Sequence, residues 1–391
     1  MKKLNMNARE EKQIKIFKKF EQKLINQTEA SQILEISTRW FMKKYKSFMQ
    51  KPEQGIAHRN RGKVSPSRID ENIKALILTQ LQGLWHDFGP TLIAEQLELD
   101  FNIKISKESV RKLLIDKGMR KSKKQRITYR TRRERRIKFG MLVQLDGSPH
   151  DWFEDRGERC TLLVFIDDAT SKILWLEFSK TESMKGVMKA TKNYMIKYGT
   201  PDFFYNDRGS VFCINTGKDK KRKKTPWQRS VTSLGVEIIH ARSPQAKGRV
   251  ERCNQTMQDR LIKKMRLAQI SSMEEGNAFL QHSGFIELHN EKYSVKSAVE
   301  GDAHRSVVGC DLNEIFSISE YRILGQDFSI NYKKSIFQLH QEQTTLVQPK
   351  DKIEIRTNLN DNIKLYLNNV SLNFDQVTKN DDFQLPFWRV G

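Results

Sequence analysis

Three carboxylates carry the chemistry this sequence can do. Asp146 ends the apolar run MLVQLD, Asp207 ends DFFYND, and Glu251 stands early in the basic segment GRVERCNQT. Attack on a phosphodiester needs an activated water or 3′-hydroxyl and a stabilised leaving 3′-oxygen. Two metals about 3.5–4 Å apart clamp both oxygens of such an in-line displacement. Hard cations take oxygen ligands, and Mg2+ keeps positions open for substrate. We read Asp146, Asp207 and Glu251 as converging to hold two divalent metals for phosphoryl transfer on DNA. Each has a plainer reading when taken singly. An Asp after a strand caps a loop, and Asp207 precedes Arg208-Gly209, a turn sequence. A Glu in the first helical turn partners the helix dipole. The three together, in this order, point to a metal site.

Other side chains gather around Glu251. Lys247 lies four residues before it, and Asn254 and Gln255 lie three and four after it, so all share one helical face. Lys247 and Arg249 suit a scissile or target phosphate, and Asn254 suits a support for Glu251. Lys263 continues the basic helix with Lys264 and Arg266, as a DNA-facing or merely solvated surface. Asp167 and Asp168 fall at a hairpin turn and are expected to be structural or peripheral. His150, His240 and Trp152 are read as structural, because this chemistry needs no His.

The elements that must position these groups begin at Met141. MLVQLDG, TLLVFIDD and KILWLEFS read as strands, the last two joined by a short turn at Ala169–Ser171. SMKGVMKATKNYMIKYG reads as a helix stopped by Gly199, DFFYND and VEIIHAR as strands, and 248–268 as a long basic helix. A sheet flanked by helices suits this order. NTGKDKKRKKTPWQ (215–228) reads as an inserted basic loop that brings Lys221 and Arg222 to DNA near the site.

QLDGS, FYNDRGSVF and GRVERCNQT together resemble the three signature blocks of DDE transposases and retroviral-type integrases, particularly insertion-sequence transposases of the ISNCY type. HNEKYSVKSAVEGDAHR is similar to a segment that follows the core in that group. The resemblance runs from the first helices to about residue 345. It implies a ribonuclease-H-like core that cleaves transposon ends and joins them to target DNA with Mg2+ or Mn2+, two per active site. It also implies that Asp146 bridges both metals while Asp207 and Glu251 hold one each. One departure stands out: Asp207 and Glu251 are 44 residues apart, longer than the gap commonest among related transposases.

The rest of the chain suits a DNA partner. Lys and Arg number 70 against 47 Asp and Glu, a formal charge of +23, which favours a polyanion. Residues 1–50 read as a helix-turn-helix unit, with Thr28 and Ser37 as helix caps. Residues 51–68 read as a basic linker, and 69–119 as a second helix-turn-helix-like unit with starts at Gly89-Pro90 and Ser106. Residues 120–138 form another linker. Its stretch 120–136 holds ten Lys or Arg, among them Arg130, Arg132 and Arg133, and such a run needs phosphates to neutralise it. Residues 139–318 make the catalytic core with a helical extension over 270–318. Residues 319–391 alternate as short strands and suit an SH3-like β-barrel with a DNA-binding or subunit-contact role.

The expected fold is therefore multidomain: N-terminal all-α helix-turn-helix units, an α/β ribonuclease-H-like (integrase) core and a C-terminal small β-barrel. The expected partners are double-stranded DNA, both terminal repeats and target, and further copies of the chain, at least as a dimer. No apolar run approaches the roughly 20 residues of a membrane span, the start lacks a signal-peptide core, and the four cysteines form no CxxC pair. A bacterial cytoplasmic, nucleoid-associated protein is the expectation. The competing classes are a DNA-binding repressor with an inert core and a structure-selective nuclease.

Overall fold

The computed structural model describes residues 7–52, 55–56, 68–121, 133–214, 223–241 and 248–378. The chain is a multidomain α/β protein that divides into two compact units, Met1–Leu78 and Thr79–Gly391. Arg130, Arg132, Lys221, Arg222 and Lys247 lie outside the described residues.

The first unit holds α1 (Ala8–Glu21), α2 (Gln27–Ile33) and α3 (Thr38–Gln50). Phe17, Ala30, Phe41 and Phe48 form its core, with Phe20 set edge-on to Phe41 at 5.0 Å. Ser37 caps α3 as its sequence predicts, its side chain accepting from Trp40 N. The cap of α2 is Asn26, not Thr28: Asn26 and Glu29 satisfy each other's backbone N–H groups as a capping box. Helix α4 (Glu71–Gln82) spans the boundary between the units.

In the second unit, α5 (Pro90–Phe101) starts at Gly89-Pro90 and α6 (Lys107–Asp116) is capped by Ser106, both as read from the sequence. Then come β1 (Lys138–Phe139), β2 (Leu142–His150), β3 (Cys160–Asp167), β4 (Ile173–Ser179), α7 (Met184–Tyr198), β5 (Phe203–Asn206), α8 (Pro226–Ser233), β6 (Glu237–His240) and α9 (Gly248–Leu267). The central sheet has the order β4-β3-β2-β5-β6. Strand β2 is antiparallel to β3 and parallel to β5, β3 is antiparallel to β4, and β5 is parallel to β6. Each face is apolar. Val143, Leu145, Leu163 and Phe165 pack against α7 and α8 on one side. Leu162, Val164 and Ile166 pack against Val250, Cys253 and Met257 of α9 on the other.

Two stretches depart from the sequence reading. Residues 225–228 are not loop: Thr225 and Gln228 form a capping box, Pro226 takes the first turn, and Trp227 is fully buried among Phe204 and Phe212. Residues 270–318 are helical only in α10 (Met273–His282), α11 (Phe285–Tyr293) and the short α12 (Leu312–Ile315). Between the last two, the chain returns to the core in extended form. There β7 (Val299–Asp302) pairs with β1, and Thr200 bridges Arg305. Gly301 and Gly309 adopt positive φ in this return, which a helix cannot accommodate.

The C-terminal strands are β8 (Ser317–Ile323), β9 (Ser329–Tyr332), β10 (Ser335–Leu339), β11 (Lys352–Asn358), β12 (Ile363–Leu367), β13 (Val370–Leu372) and β14 (Phe374–Thr378). Among the described residues they form two sheets, β13-β12-β11-β8 and β14-β10-β9, around one core of Ile330, Phe337, Ile353, Ile355 and Leu365. Helix α8 anchors them to the core. Arg229 donates to the Ser317 carbonyl and the Ser319 hydroxyl, and Ser230 to the Ile315 carbonyl.

Candidate active site

Two parallel strands at the centre of the sheet carry the chain to the aspartates. Gln144 on β2 pairs with Tyr205 on β5. Asp146 lies on β2 two residues beyond that pair, and Asp207 follows Asn206, the last residue of β5. Side chains alternate along a strand, so Asp146 shares the face of Gln144. This is the face that α9 covers.

Helix α9 is joined to β2 by three hydrogen bonds in step. Val250 N donates to Gln144 Oε1 at 3.3 Å, Asn254 Nδ2 to Asp146 Oδ2 at 3.0 Å, and Gln258 Nε2 to Ser148 Oγ at 3.2 Å. The periods explain the step: two strand residues advance roughly 6.6–6.8 Å and four helical residues about 6.0 Å. Glu251 lies in the first turn of α9, between the first two rungs. The support expected of Asn254 thus goes to Asp146. Among the described residues, no group of three His, Cys, Asp or Glu side chains is close enough to hold a metal ion. Asp146, Asp207 and Glu251 thus do not form one such group.

The Asp207 side is held by a polar chain that the sequence reading missed. Asp207 Oδ1 accepts from Gly209 N at 2.8 Å. His240, at the end of β6, faces Asn206 Oδ1 at 2.8 Å and the Asp207 carbonyl at 3.2 Å through Nδ1. Its Nε2 faces Gln228 Nε2 at 3.4 Å. Gln228 Oε1 is already taken by Thr225 N, so its amide NH2 is the end turned to His240. That makes Nδ1 the protonated nitrogen of His240.

Asp168, expected to be structural or peripheral, is fully buried and receives four donors. These are the guanidinium of Arg133, Gln144 Nε2 at 2.7 Å, Arg249 Nη1 at 2.8 Å and Arg136 N at 2.9 Å. Its neighbour Asp167 is also buried and accepts from Gly140 N and from the N–H and hydroxyl of Thr170. Burial pushes the Asp167 carboxyl up, against those bonds. Burial also pulls the Arg249 guanidinium down, and the charge of Asp168 opposes it. Arg133 and Arg249 were expected to meet phosphate; here both turn inward to one carboxylate. A buried Gln within an apolar strand run was the available signal for this cluster, since such a group must find partners.

The rest of α9 is basic for a structural reason. Arg260 pairs with Glu95 at 2.5 Å, Lys263 with Asp259 at 2.6 Å, and Arg266 with Asp87 at 2.7 Å and Glu154 at 2.5 Å. Lys264 donates to Gln96 at 2.7 Å. Burial pushes Asp87 up, but Arg266 and Lys263 hold it below the usual carboxylate range. Lys263 is buried and also donates to the Asp87 carbonyl at 3.0 Å. Its ammonium is used inside the protein, where the sequence suggested a DNA-facing one.

Comparison with known proteins decides the family. Over 345 residues the chain is 37% identical to a Sinorhizobium fredii protein named as transposase y4bF, covering 87% of this chain and 75% of that one. The chain belongs to the transposase family. This transposase is also 28% identical over 302 residues to the Streptococcus pneumoniae transposase for insertion sequence IS1202, covering 68% of this chain and 64% of that one. No protein-family model matches. Among solved structures, a chain of the simian T-cell lymphotropic virus intasome in complex with PP2A regulatory subunit B56 gamma aligns over 76% of the transposase and 98% of its own length. Its identity is 13% and its TM-score 0.35. The HTLV-2 integrase catalytic core domain in complex with magnesium (dimeric form) covers 36% of the transposase and 83% of its own chain, at 15% identity and TM-score 0.28. Likeness that slight assigns nothing further.

Proposed function

We propose that this transposase cuts and joins DNA strands at a two-metal site held by Asp146, Asp207 and Glu251, in a ribonuclease-H-like core of the integrase type. The observation that carries the reading is that β2, which bears Asp146, runs parallel to β5, which ends one residue before Asp207, with the helix that bears Glu251 bonded to β2. The donor chemistry fits Mg2+ or Mn2+. Carboxylate oxygens are the donors such cations take, and Asn254 Oδ1 beside Asp146 is buried with no hydrogen-bond partner among the described residues. Divalent cations there supply positive charge to the attacking and leaving oxygens. The protein's part is to fix the ligands: β2 holds Asp146, Gly209 N donates to Asp207 just past the end of β5, and the three rungs hold α9 against β2.

The reaction has two displacements. Water attacks phosphorus at the transposon end, its oxygen bonds to phosphorus, and the 3′-oxygen leaves and takes up a proton. The freed 3′-hydroxyl loses its proton as it attacks a target phosphate, and a target 3′-oxygen leaves. Neither step forms a bond between protein and DNA. The partners are double-stranded DNA, both ends and target, and further copies of the chain, because two ends must be handled together. Helices α2 and α3 support a helix-turn-helix reading, with Arg39, Trp40 and Lys43 exposed on α3. The two C-terminal sheets suit a small barrel-like module for DNA or subunit contact.

The test is cleavage and strand transfer on DNA from the flanking ends with Mg2+ or Mn2+, wild type beside Asp146→Asn, Asp207→Asn and Glu251→Gln. The expected outcome is nicking and joining by wild type and a fall on the order of 10²–10³-fold or more in each variant, with DNA binding retained. Equal binding by all four with no cutting in either metal would make the protein a repressor with an inert core.

A further inference from the structure

Residues 133–136, the end of the basic linker, clasp the turn between β3 and β4 with several groups at once. Arg135 Nη1 donates to the Asp168 and Ala169 carbonyls at 3.2 Å each and to Ser171 Oγ at 2.7 Å. Arg136 donates its backbone N–H, and Arg133 its guanidinium, to the Asp168 carboxylate. Arg133 and Arg136 also lie over the rings of Tyr205 and Phe203 on β5, each at 5.3 Å. The linker end therefore rests beside the strand that leads to Asp207.

The same carboxylate reaches the start of α9 by two routes. Asp168 accepts from Arg249, which sits two residues before Glu251 and also donates to the Arg133 carbonyl at 2.9 Å. It also accepts from Gln144 Nε2, which fixes the amide so that its oxygen takes Val250 N. The first helical N–H groups have no partner within the helix, so this acceptor sets where α9 begins. Asp168 itself is held in place, since its own backbone N–H donates to the Leu142 carbonyl at 2.9 Å.

We infer that Asp168 is a positioning residue that makes the placement of Glu251 depend on the docking of residues 133–136. This rests on the proposed role of Glu251 as a metal ligand; Asp168 itself would touch neither metal nor DNA. Linker and catalytic helix become one mechanical unit. A linker drawn onto DNA with its docked end intact leaves α9 set, and a linker end pulled free releases the first turn of α9.

The decisive variant is Arg133→Gln, because the Arg133 side chain is more exposed than that of Arg249 and its loss leaves Asp168 three other donors. Amide hydrogen exchange of residues 248–254 in the full chain, without metal or DNA, is expected to quicken about tenfold while β3 and α7 exchange as before. The Mn2+ concentration for half-maximal cleavage is expected to rise about 10- to 100-fold, as for outer-shell partners of metal ligands. Gln144→Met should reproduce the exchange change by removing the acceptor of Val250 N. Asp168→Asn should exceed both if it folds. Wild-type exchange over 248–254 in both Arg133→Gln and Gln144→Met would overturn the inference. Wild-type protein that cleaves nothing in either metal would sink the role of Glu251 alone, since the exchange result needs no catalysis.

Discussion

Asn254 Nδ2 donates to Asp146 Oδ2 at 3.0 Å, tying the second turn of the Glu251 helix to the middle of the central strand. The bond orients the Asp146 carboxylate and leaves the other Asn254 amide atom, Oδ1, buried without a partner among the described residues.

Removing that bond should therefore act on metal use before it acts on folding. Asn254→Leu is expected to lower cleavage by about 10- to 100-fold and raise the half-saturating metal concentration. One lost hydrogen bond should cost only about 1 kcal/mol of stability. A metal titration of cleavage beside a urea melt separates the two. Unaltered metal dependence with a large loss of stability would reduce Asn254 to a packing residue.

The inward-turned cations of α9 make a prediction about salt. Each phosphate contact adds about −0.9 to the slope of log K against log salt. Lys263 is bonded to Asp259 and to the Asp87 carbonyl, so Lys263→Gln should leave that slope unchanged for any duplex bound. It should cost roughly 1–3 kcal/mol of stability through loss of charged hydrogen bonds. Binding isotherms at several salt concentrations decide this, and a slope shallower by nearly one unit would return Lys263 to the DNA surface.

Trp227 tests the helix that replaces the expected loop. It is fully buried against Phe204 and Phe212 and donates to Thr191 Oγ1 at 2.9 Å. Trp227→Ala is expected to cost about 3–5 kcal/mol, and Trp227→Phe far less. Guanidinium melts measure both. A near-zero change in the alanine variant would restore the loop reading.

What the sequence made legible was local. Ser37, Ser106 and Gly89-Pro90 mark helix starts by side-chain capping or a fixed φ, and Gly199 stops α7 because its φ of 94° excludes other residues. The run LVQLD announces a buried strand with an acid at its end. What stayed hidden was set by partners far along the chain. The cations of Arg260 and Arg266 look solvent-facing until Glu95, Asp87 and Glu154, 165, 179 and 112 residues away, are brought beside them. Asp168 looks like an ordinary turn acid because its donors Gln144 and Arg249 come from 24 and 81 residues away. Thr28 loses the cap of α2 to Asn26 because Asn26, not Thr28, stands three residues before a Glu that can reach back.

The three rungs between β2 and α9 bear on how this chain tolerates insertions. The 44-residue separation of Asp207 and Glu251 need not be counted by the fold, because Glu251 is placed by its rungs and not by the length of chain leading to it. Added residues ahead of Gly248 can be taken up before the helix starts. A single residue added between Val250 and Asn254 is different: it turns everything after it by about 100° and parts Glu251 from the rung that follows it. Length is free on one side of Gly248 and fixed on the other, so homologous cores can differ widely in that gap while keeping the spacing from Glu251 to Asn254.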